Sequence, residues 1–129
     1  MARGGVFPAA SACLVLGPLL LASGVGAAAA QDYFGAIAFS PKTRAHGWAY
    51  DYTSRTEAQE RAMSECRRHA SDCVSAVWFR NACGALAVGP QAYGAGWGSD
   101  RGQAERAALK SCGRFSRDCT VIRWICTTN

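Results

Sequence analysis

Few side chains in this chain could carry chemistry. Seven cysteines, two histidines (His46 and His69) and nine carboxylates are spread over 129 residues. A hydrolase needs a nucleophile with a base, or two carboxylates facing one cleft. The nearest approach available is His46 or His69 with a neighbouring carboxylate. At the intervals of an internal repeat described below, His46 falls opposite Ala95 and His69 opposite Phe115, so neither histidine belongs to the repeated framework. Either could therefore be a functional addition. A solvated cationic cap explains His69 equally well, since it follows Arg67 and Arg68 at an expected helix end. Asp72 and Asp118 each precede a cysteine and suit turns better than acid catalysis. Glu57, Glu60 and Glu65 have helix-surface explanations. The set does not converge, and the chain reads as a non-enzyme.

Other site chemistries fit less well. Zinc ligands would come as close Cys or His pairs, whereas the gaps between the cysteines here are six residues or more and no CxxC occurs. No metal or other cofactor is called for. Gly94, Gly96 and Gly98 ahead of Asp100 superficially resemble a phosphate cradle. Asp100 would repel an anion, however, and a hairpin or close packing accounts for the glycines. Trp48 and Trp97, each in a Gly-Trp pair, and Trp78 with Trp124 form two symmetric pairs whose ordinary role is core or repeat-interface area. Should Trp48 and Trp97 be exposed instead, they would form a candidate binding surface, stacking on sugar rings or anchoring a protein partner.

The expected address follows from the first thirty residues. No charge occurs from Val6 to Ala30, Arg3 precedes the run, and Ala27, Ala28, Ala29 and Ala30 offer a signal-peptidase site. Residues 1–30 are expected to be a Sec-type signal peptide cleaved after Ala30. That leaves residues 31–129 as a single exported domain. Gly17, Pro18, Ser23, Gly24 and Gly26 confine the leucine-rich stretch to Ala12–Ala22, shorter than a spanning helix requires, so no stable membrane insertion is expected after cleavage. Cys13 opens that stretch, a poor place for lipid attachment, and no twin-arginine pair is present.

Removing the leader leaves Cys66, Cys73, Cys83, Cys112, Cys119 and Cys126. An even count in a small exported domain indicates a disulfide framework, with fifteen pairings formally open. The repeat narrows the choice. Cys66, Cys73 and Trp78 return 46 residues later as Cys112, Cys119 and Trp124. Gly35–Phe39 returns 49 residues later as Gly84–Val88, and Gly47-Trp48 returns at the same interval as Gly96-Trp97. The difference of three places a deletion after the second Gly-Trp. Each half carries a small-residue strand, a Gly-Trp strand, a helix and a Cys-led strand, with halves at about residues 33–80 and 82–126.

Ser54 with Glu57 and Asp100 with Gln103 have capping-box spacing. Ala58, Ala62, Met63 and Cys66 then share one helical face, matched by Ala104, Ala108, Leu109 and Cys112, and Gly113 suits a helix end. In the first strand Tyr33, Gly35, Ile37 and Phe39 alternate with Phe34, Ala36 and Ala38. The second copy alternates Gly84, Leu86 and Val88 with Cys83, Ala85 and Ala87. The small face is expected to receive the helix. Within one helix, Cys66 and Cys73 would lie roughly 10 Å apart, beyond disulfide reach, so the helix must end between them. A clip Cys66–Cys73, its repeat Cys112–Cys119, and a long bridge between the unrepeated Cys83 and Cys126 follow. The expected fold is α+β: a tandem ββαβ repeat with pseudo-twofold symmetry, two helices on an antiparallel or mixed sheet shared by the halves, stapled by disulfides.

The strings Gly35-Ala36-Ile37-Ala38-Phe39-Ser40, Gly47-Trp48, Trp78-Phe79-Arg80-Asn81-Ala82-Cys83-Gly84-Ala85-Leu86-Ala87 and Gly94-Ala95-Gly96-Trp97-Gly98 carry a family resemblance. They resemble the small exported actinobacterial, chiefly mycobacterial, proteins grouped as domain of unknown function 4189. The resemblance covers nearly all of residues 31–129 and implies secretion and a role at the host interface. It brings no catalytic residues. The net charge of +5, or +4 without the leader, favours acidic partners only mildly. Neither a nucleic-acid motif nor a strongly basic amphipathic helix is present. The function expected is that of a secreted non-catalytic interaction protein with a protein or cell-envelope partner. The alternatives are a small secreted hydrolase using His46 or His69, and an inhibitor of a secreted enzyme.

Overall fold

The computed structural model describes residues 30–128, with Gly17, Gly24 and Gly26; the rest of the expected signal peptide, Cys13 included, lies outside the described residues. The chain runs β1 (Phe34–Phe39), β2 (His46–Tyr52), α1 (Arg55–Arg67), β3 (Val74–Arg80), β4 (Cys83–Val88), β5 (Tyr93–Gly98), α2 (Arg101–Gly113) and β6 (Thr120–Cys126). Both helices begin where a side-chain oxygen meets a free amide. Ser54 Oγ accepts from the Glu57 N–H at 3.2 Å, and Asp100 Oδ1 accepts from the Gln103 N–H at 2.8 Å.

The strands form two antiparallel three-stranded sheets, ordered β2-β1-β3 and β5-β4-β6. This corrects the expectation of one shared sheet. The reason lies in the two faces of the central strands. Ala36 and Ala38 take Ala58, Ala62 and Cys66 of α1, while Ala85 and Ala87 take Ala104, Ala108 and Cys112 of α2. On the other face Ile37, Phe39, Leu86 and Val88 bury one another. A sheet joined edge to edge would leave that bulky face in water. Stacking the sheets removes it, at the cost of leaving four edge strands. The layers are helix, sheet, sheet, helix.

Close approach depends on glycine. A Cβ on Gly47 would sit 2.2 Å from the Ala62 carbonyl oxygen, and one on Gly94 would sit 2.1 Å from the Cys112 nitrogen. Gly96 and Gly98 likewise lie against Ala107 and Gln103 of α2. The glycine run is therefore a helix seat, and no described glycine has positive φ. Between the sheets the Phe79 ring fills the space left by Gly35 and Gly84, where added Cβ atoms would lie 2.2 and 2.4 Å from it.

Three disulfides join Cys66 to Cys73, Cys112 to Cys119, and Cys83 to Cys126. The short clips tie each helix end to its following strand; the third links facing residues of β4 and β6. One helical position departs from expectation. Leu109 is 37% exposed, because Ala104, Ala108 and Cys112 already fill the contact with the small face.

The strand register also corrects the alignment of the halves. Ala38 faces Gly47 and Ala87 faces Gly94, so β2 and β5 correspond at an interval of 47 residues. Trp48 therefore matches Ala95, Trp97 matches Tyr50, and His46 matches Tyr93. Two of the three missing residues are lost from the hairpin loop, which spans 40–45 in one half and 89–92 in the other. The third is the bulge in β2, where Asp51 has φ 60° and the pairing with β1 shifts.

Candidate functional site

Stacking brings β2 beside β6 at one margin of the sandwich and β3 beside β5 at the other. Trp48 lies at the first margin and Trp97 at the second. The two indoles do not form one continuous surface. Nor do the four tryptophans supply core: Trp48, Trp78, Trp97 and Trp124 are 36, 38, 62 and 40% exposed. Trp78 and Trp124 face the helices, where the space over the alanine-lined strands is too thin for an indole. Trp48 and Trp97 are on the opposite face, whose centre is already filled by Ile37, Phe39, Phe79, Leu86 and Val88, and so they stand at its rim.

At the first margin Arg123, half-buried on β6, lays its guanidinium over Trp48, with Cζ 3.8 Å from the ring centroid. Its Nη2 lies 3.3 Å from His46 Nε2, and His46 Nδ1 lies 3.3 Å from the Arg44 carbonyl oxygen. Both ring nitrogens are thus engaged, Nε2 by a guanidinium that can only donate and Nδ1 by a carbonyl that can only accept. Among the described residues the buried Arg123 Nε has no hydrogen-bond partner. On the α1 side of β2, a hollow of about 430 Å³ is lined by His46, Trp48, Arg61, Glu65, Arg68 and His69. The structure thus gathers both sequence-singled histidines and one carboxylate. That carboxylate is committed: Arg61 Nη2 lies 2.7 Å from Glu65 Oε1, and Arg68 Nη1 lies 3.5 Å from Oε2.

At the second margin Trp97 stands over Ala76, Val77 and Phe79, beside Trp78 and Arg80, around an apolar hollow of about 590 Å³. Trp78 and Trp124 occupy the helix-facing sides of β3 and β6. Each is covered by an arginine from the first turn of its helix, Arg55 and Arg101, at 4.1 Å in both halves. Arg55 and Arg101 share the 46-residue interval of their tryptophans, a signal present in the sequence. Arg123 carried none, because its partner lies in the other half.

Asp72 and Asp118 serve loops. The Ser40 hydroxyl, fully buried, donates to Asp72 Oδ1, and the Lys42 N–H donates to Oδ2 at 3.0 Å. The Ser40 bond, ahead of the Lys42 amide and charge, holds this carboxyl below the ordinary aspartate range. Asp118 sits at φ 53°, a left-handed position that aspartate tolerates.

Residues 34–126 match the model of a family described as Domain of unknown function (DUF4189). The chain belongs to this family. Over 84 residues this DUF4189 chain is 37% identical to Protein Rv1269c of Mycobacterium tuberculosis and to Protein Mb1300c of Mycobacterium bovis. The matched stretch spans 65% of this chain and 64% of each relative. The NMR structure of Rv1813c from M. tuberculosis has a similar fold, with TM-score 0.55 and 23% identity over 98% of this chain and 99% of that one. The DUF4189 match runs from the start of β1 to the end of β6, so it takes in both halves and both margins.

Proposed function

We propose that this DUF4189 protein is an exported, non-catalytic interaction protein that engages a host or cell-envelope partner through the Trp97 margin. The observation that carries this reading is that the largest side chains lie outside the core, on a frame held by three disulfides. Rigid, exposed tryptophan is a typical anchor of protein interfaces, since it contributes large apolar area with little ordering cost. The disulfides also fit an oxidising compartment, and among the described residues no helix is long and apolar enough to cross a membrane.

The test is capture by immobilised, oxidised protein from host and envelope extracts, compared with Trp97→Ala at matched melting temperature. A saturable partner retained by the native chain and lost with Trp97→Ala supports the reading. Equal retention by both, or none by either, overturns it. An inhibitor of a secreted enzyme would appear in the same experiment as a captured enzyme whose turnover falls on binding.

A hydrolytic reading draws on the meeting of His46, His69 and Glu65 in one hollow. Against it stand the double ion pair of Glu65 and the engagement of both His46 nitrogens, which leave neither group poised as a base. Turnover abolished by replacing both histidines would establish it; undiminished turnover would remove these residues.

A further inference from the structure

We propose that the hollow on the α1 side of β2 binds an anionic saccharide, a sugar ring bearing a phosphate or carboxylate group. The duplicated fold supplies an internal control for reading this surface. At the structural intervals, Arg61 corresponds to Ala107, Glu65 to Ser111, His69 to Phe115, His46 to Tyr93, Trp48 to Ala95, and Arg123 to Val77. Only Arg68 finds its like, in Arg114. The framework of alanines, caps and clips is repeated in both halves, so folding does not require this cluster. It was built at one margin of the sandwich and not at its pseudo-symmetric equivalent.

Its chemistry selects the ligand. Arg61 and Arg68 grip Glu65 from two sides, and each keeps unused N–H donors toward solvent. Two guanidiniums fixed by a shared carboxylate, with exposed His69 beside them, present forked donors to an oxoanion at low ordering cost. Glu65 in turn disfavours a bare anion, while its oxygens accept hydrogen bonds from hydroxyl groups. A ligand with hydroxyls around one charged substituent satisfies both demands.

The wall is aromatic. Trp48 is clamped on one side by Arg123, and its centroid lies 5.9 Å from that of His46. The indole surface left open to the hollow offers an apolar platform for the C–H face of a sugar ring. A volume of about 430 Å³ accommodates one or two rings. Arg123 acts as a positioning residue, holding the Trp48 and His46 rings from behind. The site lies at the margin opposite Trp97, so it stands or falls independently of partner capture there.

Calorimetric titration of the oxidised chain with glucose 6-phosphate, glucuronate, glucose and inorganic phosphate tests the proposal. At least one anionic sugar is expected to bind about tenfold or more tighter than both glucose and inorganic phosphate. Arg61→Gln combined with Arg68→Gln should weaken that binding at least about tenfold, while Arg114→Gln leaves it within about twofold. In the unaltered chain, the assigned Trp48 indole N–H resonance should move on titration and that of Trp97 should not. The proposal is overturned if neither anionic sugar binds with Kd below about 1 mM, or if inorganic phosphate binds as tightly as the sugars. It also fails if Arg114→Gln weakens binding as much as the double variant, or if Trp97 responds in place of Trp48.

Discussion

Replacing Gly94 with alanine tests how the helices are seated. The new Cβ would lie 2.1 Å from the Cys112 nitrogen and 2.6 Å from the Ala108 carbonyl oxygen, both backbone atoms of α2. Ordinary contact begins near 3.4 Å, so helix and strand must separate by more than an ångström at this point. The clip to Cys119 limits how far the end of α2 can swing away. A gap of that size forfeits a large part of the dispersion contacts under Ala104, Ala108 and Cys112. Overpacking of side chains typically costs about 1–3 kcal/mol, and a clash with backbone belongs at the upper end. About 3 kcal/mol in a domain of this size lowers Tm by roughly 12–24 °C. Gly113→Ala is the control, with nothing within 4 Å of its Cβ and a better helix former at the last position of α2. It should melt at or slightly above the native temperature. Thermal unfolding of the oxidised proteins followed by circular dichroism reads both. A Gly94→Ala melt within about 3 °C of native would mean that the helix seat is not tight, and the reasoning would fail.

Phe79→Ala should cost about 3–5 kcal/mol in urea unfolding, because the ring fills the space that Gly35 and Gly84 leave between the sheets; a loss below about 1 kcal/mol would contradict its placement. Removing the Cys83–Cys126 bridge, which spans 43 residues, should destabilise by about 4 kcal/mol, against about 2.5 kcal/mol for either seven-residue clip. Denaturation of paired Cys→Ser variants checks that order, and equal losses would argue against a chain-entropy origin. Asp72 has a folded pKa below its unfolded value, so its carboxylate contributes stability above the unfolded value, near pH 4, and that contribution disappears as pH falls through the folded value. Asp72→Asn should therefore flatten the acid limb of the stability curve below about pH 4 and show less stability than native at neutral pH. An unchanged acid limb would show that the Ser40 and Lys42 bonds do not favour the ionised form.

Local signals were legible wherever the residues that interact are close in sequence. The caps at Ser54 and Asp100, the Ala58–Ala62–Cys66 face, and the two clips all follow from spacing on one element or across one turn. The alternation of bulky and small residues along β1 and β4 indicated where each helix would lie. The pairing of Trp48 with Trp97 misled, because matching Gly-Trp dipeptides ignores a hairpin loop that is two residues shorter in the second half and shifts the register by as much. An offset of two residues keeps a side chain on the same face of a strand, so alternation alone could not expose the shift. At the candidate site the sequence marked Trp48, His46 and His69 as unusual, yet it carried no sign of Arg123, which reaches Trp48 and, across 77 residues, His46 from the other sheet.

Composition and order along the chain determined the duplicated units, the six cysteines that pin them, and which face of each central strand is small enough to accept a helix. These are properties of neighbouring residues, governed by periodicity, capping and short loops. Tertiary structure decided that the halves stack face to face, which tryptophans stand at which margin, and that one margin gathers arginines and histidines where the equivalent positions at the other are mostly apolar. Those outcomes turn on burying Ile37, Phe39, Leu86 and Val88 against one another. The free energy of that burial belongs to the packed pair of sheets and to neither half alone.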